Sequence, residues 1–167
     1  MRNELIKEAL RDQFKNGISK MAKRICFGYE QDGYGNLVIN PKEAEIVKWI
    51  FESYLSGYSL GKIANELYQR GIKSPTGKER WNREAIDKLL SNEKYIGSVL
   101  LQKTLSFMGT QFENKGFEDK YLMKQSHSAI ISMELFKAVQ QAKIKRSRGI
   151  NMQENTASEM LNVINMM

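Results

Sequence analysis

The stretch from Tyr58 to Gly97, YSLGKIANELYQRGIKSPTGKERWNREAIDKLLSNEKYIG, restricts the possible folds more than any other part of the chain. Leu60, Ile63, Ala64 and Leu67 recur at helical spacing on one face, Ser59 can cap that helix, and Gly71 supplies a left-handed stop. A basic connector follows. Lys73, Lys78 and Arg80 are its cations, Ser74 and Thr76 its hydroxyls, and Pro75 and Gly77 set a turn. Asn82 is placed to cap a second helix with Ile86, Leu89 and Leu90 inward, which leaves Arg83, Glu84, Asp87 and Lys88 outward. Tyr95 to Gln102 is apolar and β-branched enough to predict a return strand. Helix, connector, helix is the layout of a helix-turn-helix, whose second helix offers its N-terminal residues and outer face to base edges in the major groove. The connector exceeds the usual length of about three or four residues, so the expectation is a variant of that motif. The same pattern also fits an ordinary pair of amphipathic helices with a solvated charged face.

Upstream, Ile6, Leu10, Phe14 and Ile18 make a narrow apolar stripe on a charged helix over residues 3–18, with Gly17 near its end. Lys20, Lys23 and Arg24 form a short basic arm, of the kind that tracks phosphates or enters a minor groove, or is simply solvated. Phe27–Tyr29 and Leu37–Ile39 flank a turn-rich segment with Gly33 and Gly35 and predict a β-hairpin. These glycines fit turn geometry; no Gly-rich loop leads from a strand into a helix with a Lys-Ser/Thr pair. Asn40, Pro41 and Glu43 spell a helix start with a capping box, and Ile46, Val47, Ile50, Phe51 and Tyr54 give that helix a core face ending near Gly57. Trp81 is expected in the core rather than in a groove.

Downstream, residues 103–120 carry Gly109, Asn114 and Gly116 without periodicity and predict a loop or loose hairpin, with a short partner strand at 121–124. Ile131, Ser132 and Phe136 form a hydrophobic staple around a cap. The helix they open turns Leu135, Phe136, Val139 and Ala142 inward and ends in Lys143, Lys145, Arg146 and Arg148. Those cations complement the helix dipole and could equally touch phosphate. From Gly149 the chain is polar and Met-rich, a tail or linker with one short helical segment at 158–164. The expected class is α+β, predominantly helical, with a helix-turn-helix-like core and short antiparallel hairpins.

A net charge of +7 points to a polyanionic partner, nucleic acid or an acidic membrane surface. The single cysteine, Cys26, rules out an internal disulfide and any zinc site built on cysteine pairs; it suits a small buried hydrophobe in a reducing compartment. With His127 the one histidine, a His-based metal site or a Ser-His-Asp triad is hard to assemble, so no metal or cofactor is expected. Asp32, Glu43, Glu45 and Asp87 sit at a turn, a cap and exposed helix positions, without the arrangement of a metal-dependent nuclease. No stretch approaches the roughly 18 apolar residues of a membrane span, and no signal peptide opens the chain, so the expected place is the cytoplasm, at the nucleoid.

From FGY through the hairpin to NPKEAEIVKWIFESYLSGYSLGKIANELYQRGIKSPTGKERWNREAIDKLLSNEKYIG, and again at HSAIISMELFKAVQQ, the chain resembles the recombinase domain of large serine recombinases. The resemblance runs from about Arg24 to about Arg148 and joins several ordered segments. It implies that residues 1–20 are the end of a helix linking to a catalytic domain, that 21–148 are the DNA-binding domain and that 149–167 are a tail or linker. The serine-bearing catalytic domain and the zinc ribbon have no counterpart here, so the chain is expected to bind DNA as a monomeric module and to catalyse nothing by itself. The implied role is recognition of one half of a recombination site in double-stranded DNA. Asn82, Arg83, Glu84, Asp87 and Lys88 would face the major groove; Lys73, Ser74, Thr76, Lys78 and Arg80 would hold backbone phosphates; Lys20, Lys23 and Arg24 would enter the minor groove. A free-standing winged-helix regulator and, in a different class, a protein-interaction domain using the stripe of residues 3–18 are the alternatives.

Overall fold

The computed structural model describes residues 2–15, 20, 22–107, 110–116, 119–124 and 126–148. In chain order the elements are α1 (Arg2–Lys15), β1 (Tyr29–Gln31), β2 (Leu37–Ile39), α2 (Pro41–Leu55), α3 (Leu60–Gln69) and α4 (Arg83–Leu90). A 3-10 turn (Glu93–Ile96) follows, then β3 (Val99–Leu101), β4 (Thr104–Phe107), β5 (Thr110–Glu113), β6 (Tyr121–Met123) and α5 (Met133–Arg148). The strands form three antiparallel pairs, β1 with β2, β3 with β6 and β4 with β5. This is the expected α+β class, with helices carrying the core and strands confined to short two-stranded ribbons.

The helices start where side chains can satisfy their first free N–H groups. Asn40 Oδ1 accepts from Glu43 N at 3.3 Å, Ser59 Oγ from Lys62 N at 3.1 Å, and Ser132 Oγ from Leu135 N at 3.2 Å. The Asn40 capping box does not close. Glu43 turns its carboxylate to the backbone N–H of Gly28, 2.7 Å away, while Gly28 O accepts from Asn40 N at 3.0 Å. The start of α2 is thereby tied to the entry of the hairpin, a long-range use of a residue whose local pattern suggested a local bond.

One core gathers α2, α3, α4 and α5 around Val47, Ile50, Phe51, Ile63, Leu67, Ile86, Leu90, Phe136 and Val139, all buried. Tyr95, from the 3-10 turn, completes it by packing edge-on against Phe51 at 5.9 Å between ring centroids. Its hydroxyl donates to Phe27 O at 2.8 Å, as a buried phenol requires. Burial of nine such apolar side chains supplies the driving force that the short ribbons could not.

Several expectations change. The return strand covers only Val99–Leu101, because Asn92 caps a 3-10 turn through Lys94 N and Gly97 turns the chain at φ 81°. Thr104–Phe107 and Thr110–Glu113 pair antiparallel, Thr104 opposite Glu113, so of loop and hairpin the hairpin holds. The helix α1 is described over Arg2–Lys15, with Leu5, Ile6 and Leu10 exposed; the rest of the expected helix, with Gly17 and Ile18, and the tail from Gly149 lie outside the described residues.

Candidate nucleic-acid interface

The helix α4 is amphipathic over only eight residues, with Ile86, Leu89 and Leu90 fixing which face is left outward. Arg83, Glu84 and Lys88 lie on the exposed face as the spacing predicts. Glu84 and Lys88 form an exposed ion pair at 2.8 Å, and the hydrogen bond from Lys88 holds the Glu84 carboxyl below its ordinary range. Arg83 sends its guanidinium back against Gly61 of α3.

Two of the five residues assigned to the groove have other work. Asn82 is exposed, but its Oδ1 accepts from Glu84 N at 3.1 Å, so its side chain starts the helix. Asp87 is half-exposed, and its carboxylate meets Lys143 of α5 at 2.8 Å. Lys143 is nearly buried and also donates to Asp87 O at 3.2 Å and to Ser91 Oγ. One turn further along α5, Arg146 donates to Tyr54 O at 2.8 Å and Tyr58 O at 3.0 Å, and stacks over the Tyr54 ring. These cations at the end of α5 therefore satisfy protein carbonyls at the end of α2 and on α4, which takes them away from phosphate.

The connector is a built turn. Ser74 N donates to Lys78 O at 2.8 Å, Gly77 N to Ser74 O at 2.8 Å, and Gly77 takes φ 78°. Ser74 is buried, and its Oγ accepts from Lys78 N at 3.1 Å and meets Thr76 Oγ1 at 3.1 Å. Its hydroxyl is thus bonded within the turn. Lys73, Thr76, Lys78 and Arg80 remain exposed on the same turn. Trp81 is buried as expected; its indole donates to Ile72 O at 3.1 Å and its ring packs edge-on to Phe27 at 5.1 Å. That anchor holds the connector's cations at a fixed place beside α4.

Two further cations share this region, and sequence reasoning missed both. Lys62 lies 3.7 Å over the Tyr58 ring and Arg70 lies 4.2 Å over Trp49, each held in place by the ring quadrupole. The first pair is four apart in sequence and could have been found; the second joins α2 to the end of α3 and left no local trace. In the arm, Lys20, Lys23 and Arg24 are exposed. Lys23 O accepts from Gln31 Nε2 at 2.8 Å and Arg24 O accepts from Lys94 Nζ, which fastens the arm's backbone, while Lys23 Nζ donates to Asn36 Oδ1 at 3.3 Å. Among the described residues no group of His, Cys, Asp and Glu side chains could hold a metal ion. None of their helices is long and apolar enough to cross a membrane.

Residues 41–146 of the 167 match the family described as Recombinase. The chain belongs to that recombinase family. The match begins at Pro41, the first residue of α2, and ends at Arg146, whose guanidinium closes α2 from the other end of the chain. The fold of this recombinase domain is similar to a protein in a crystal structure of a complex between a large serine recombinase (LSR) and DNA. That likeness has a TM-score of 0.60 at 22% identity and covers 92% of this chain and 42% of the other. A second similar structure comes from work on the sequence requirements of the Listeria innocua prophage attP site, with a TM-score of 0.53 at 23% identity, covering 75% of this chain and 44% of that one. The chain thus spans less than half the length of either protein.

Proposed function

We propose that this recombinase domain binds double-stranded DNA and reads one half of a recombination site for a large serine recombinase. The observation that carries the reading is the exposed face of α4 set beside a rigid turn that presents Lys73, Lys78 and Arg80. Seated in a major groove, α4 would offer Arg83 and Lys88 to base acceptors or phosphates, and Glu84 to a cytosine amino group. Glu84 and Lys88 are paired at 2.8 Å, so one must release the other to reach a base, a cost met only where the sequence rewards both. Lys73, Thr76, Lys78 and Arg80 would hold phosphates and set register, and Lys20, Lys23 and Arg24 would occupy the adjacent minor groove. Cleavage and rejoining would fall to the serine-bearing domain of a parent protein. The exposed Leu5, Ile6 and Leu10 of α1 favour, as a second surface, packing of this helix against another protein element.

Titration against a pool of random duplexes, with sequencing of the bound fraction, tests the reading. Enrichment of a motif of about one to two helical turns without palindromic symmetry is the expected result. Arg83→Ala should narrow the gap between selected and random DNA. Lys78→Ala should weaken both alike and flatten the dependence of log K on log salt by about one unit. Binding without enrichment would reduce α4 to part of a basic coat, and no binding at low salt would sink the proposal.

A further inference from the structure

Gly61 is the second residue of α3 and takes ordinary negative φ, so nothing in its backbone calls for glycine. Glycine inside a helix is unfavourable relative to alanine because it loses more freedom on folding. What fills the place of its missing Cβ is the Arg83 side chain. A Cβ built on Gly61 would stand 3.0 Å from Arg83 Nη2, 3.1 Å from Nε and 3.2 Å from Cζ, tighter than normal packing for all three. The guanidinium therefore rests on the bare backbone of α3, on the far side of a connector that Trp81 and Ser74 hold rigid.

We infer that Gly61 is a specificity-determining position, a seat for Arg83 that pre-orients its guanidinium for the groove. The inference rests on the DNA-reading role of α4 proposed above. An arginine free in water samples many rotamers, and restricting them before binding reduces what ordering costs at the interface. Because the obstructed atoms are the mobile end of an exposed side chain, a methyl group at position 61 would move Arg83 and leave α3 intact.

Gly61→Ala separates this positioning role from a structural one. Its thermal midpoint should equal or exceed that of the parent chain, since alanine favours helix. Its preference for the selected duplex over random DNA should nevertheless fall about fivefold, the lower end of what one base-contacting arginine supplies. In the Arg83→Ala background, adding Gly61→Ala should change binding no further. If Arg83→Ala weakens discrimination but Gly61→Ala binds like the parent chain, the seat is refuted and the DNA-reading role stands. If Gly61→Ala weakens binding equally in both backgrounds, it acts apart from Arg83 and the inference fails. If Arg83→Ala leaves discrimination untouched, Arg83 reads nothing and both proposals lose that residue.

Discussion

Replacing Lys143 with methionine removes the cation that joins α5 to α4 while keeping most of the side chain's volume. Lys143 Nζ makes three contacts, with Asp87 Oδ1 at 2.8 Å, Asp87 O at 3.2 Å and Ser91 Oγ. Its side chain is 10% exposed and that of Asp87 46%, so the two ends of the pair lose their partner unequally. A hydrogen bond to a charged group contributes about 1.5–3 kcal/mol, and the strongest of the three sets the scale of the loss. Against it, the buried ammonium no longer needs desolvating, and the Asp87 carboxylate regains water on its open side. Ser91 Oγ keeps a partner, since it also donates to Asp87 O at 3.1 Å. The expected net cost of Lys143→Met is about 2 kcal/mol, or a fall in Tm of roughly 4–8 °C for a domain of this size. The converse change, Asp87→Ala, strands a nearly buried ammonium and should cost at least as much, with the double variant recovering part of the loss. Urea denaturation of the four proteins measures all of this, repeated in 0.1 and 1 M salt because a half-buried pair is screened less than an exposed one. A cost below about 0.5 kcal/mol for Lys143→Met, or full loss of coupling in high salt, would show that the pair behaves as a surface ion pair and would refute the argument.

Three further outcomes follow from the described geometry. Gly97→Ala should destabilise by at least about 1–3 kcal/mol in urea titration, because φ 81° is left-handed and a Cβ there would lie 2.6 Å from His127 O. His127 donates from Nε2 to Lys94 O at 2.7 Å, which leaves Nδ1 buried without a hydrogen-bond partner, and burial lowers its pKa. The unfolded chain then binds the proton more readily, so stability should be full above about pH 6.5 and decline as pH falls from there to the folded pKa. Differential scanning calorimetry of the parent chain and His127→Gln between pH 5 and pH 8 would show that slope only in the parent. Burial pushes the Cys26 thiol up, against a weaker opposite pull from Lys94. Iodoacetamide should therefore label Cys26 at least about tenfold more slowly in the folded chain than in urea, as mass spectrometry reads out.

The parts legible in the sequence were those whose physics is local. Asn40, Ser59 and Ser132 cap helices through N–H groups three residues on, and the apolar spacing of Ile63, Leu67, Ile86 and Leu90 placed the inner faces. The contacts that left no sequence trace join residues far apart along the chain. Asp87 and Lys143 each sit at a helix position that looks solvated, and only packing of α5 on α4 brings them together across 56 residues. Glu43 showed the pattern of a capping box, yet its carboxylate serves Gly28, 15 residues back. Glu93 gave no signal at all. It is a buried carboxylate accepting from Leu100 N and from Lys103 Nζ, and it fixes the bend that shortens the expected strand. The bonds of Ser74 were hidden for the opposite reason: its partners are two and four residues away, but side-chain turn bonds of this sort carry no periodicity.

The stitching by α5 also sets an order of events during synthesis. Gln140 donates to Leu90 O at 2.7 Å across 50 residues, Lys143 reaches back to Asp87, and Arg146 closes on Tyr54 across 92. While a ribosome is still translating the ribbons β3 to β6, α2 and α4 have been made but lack Phe136 and Val139 to cover them. The nascent chain must carry that uncovered apolar surface for several seconds at elongation rates of about 5–20 residues per second. A finished core around α4 therefore waits on its last helix, which makes the end of α5 the point at which the newborn chain can complete its fold.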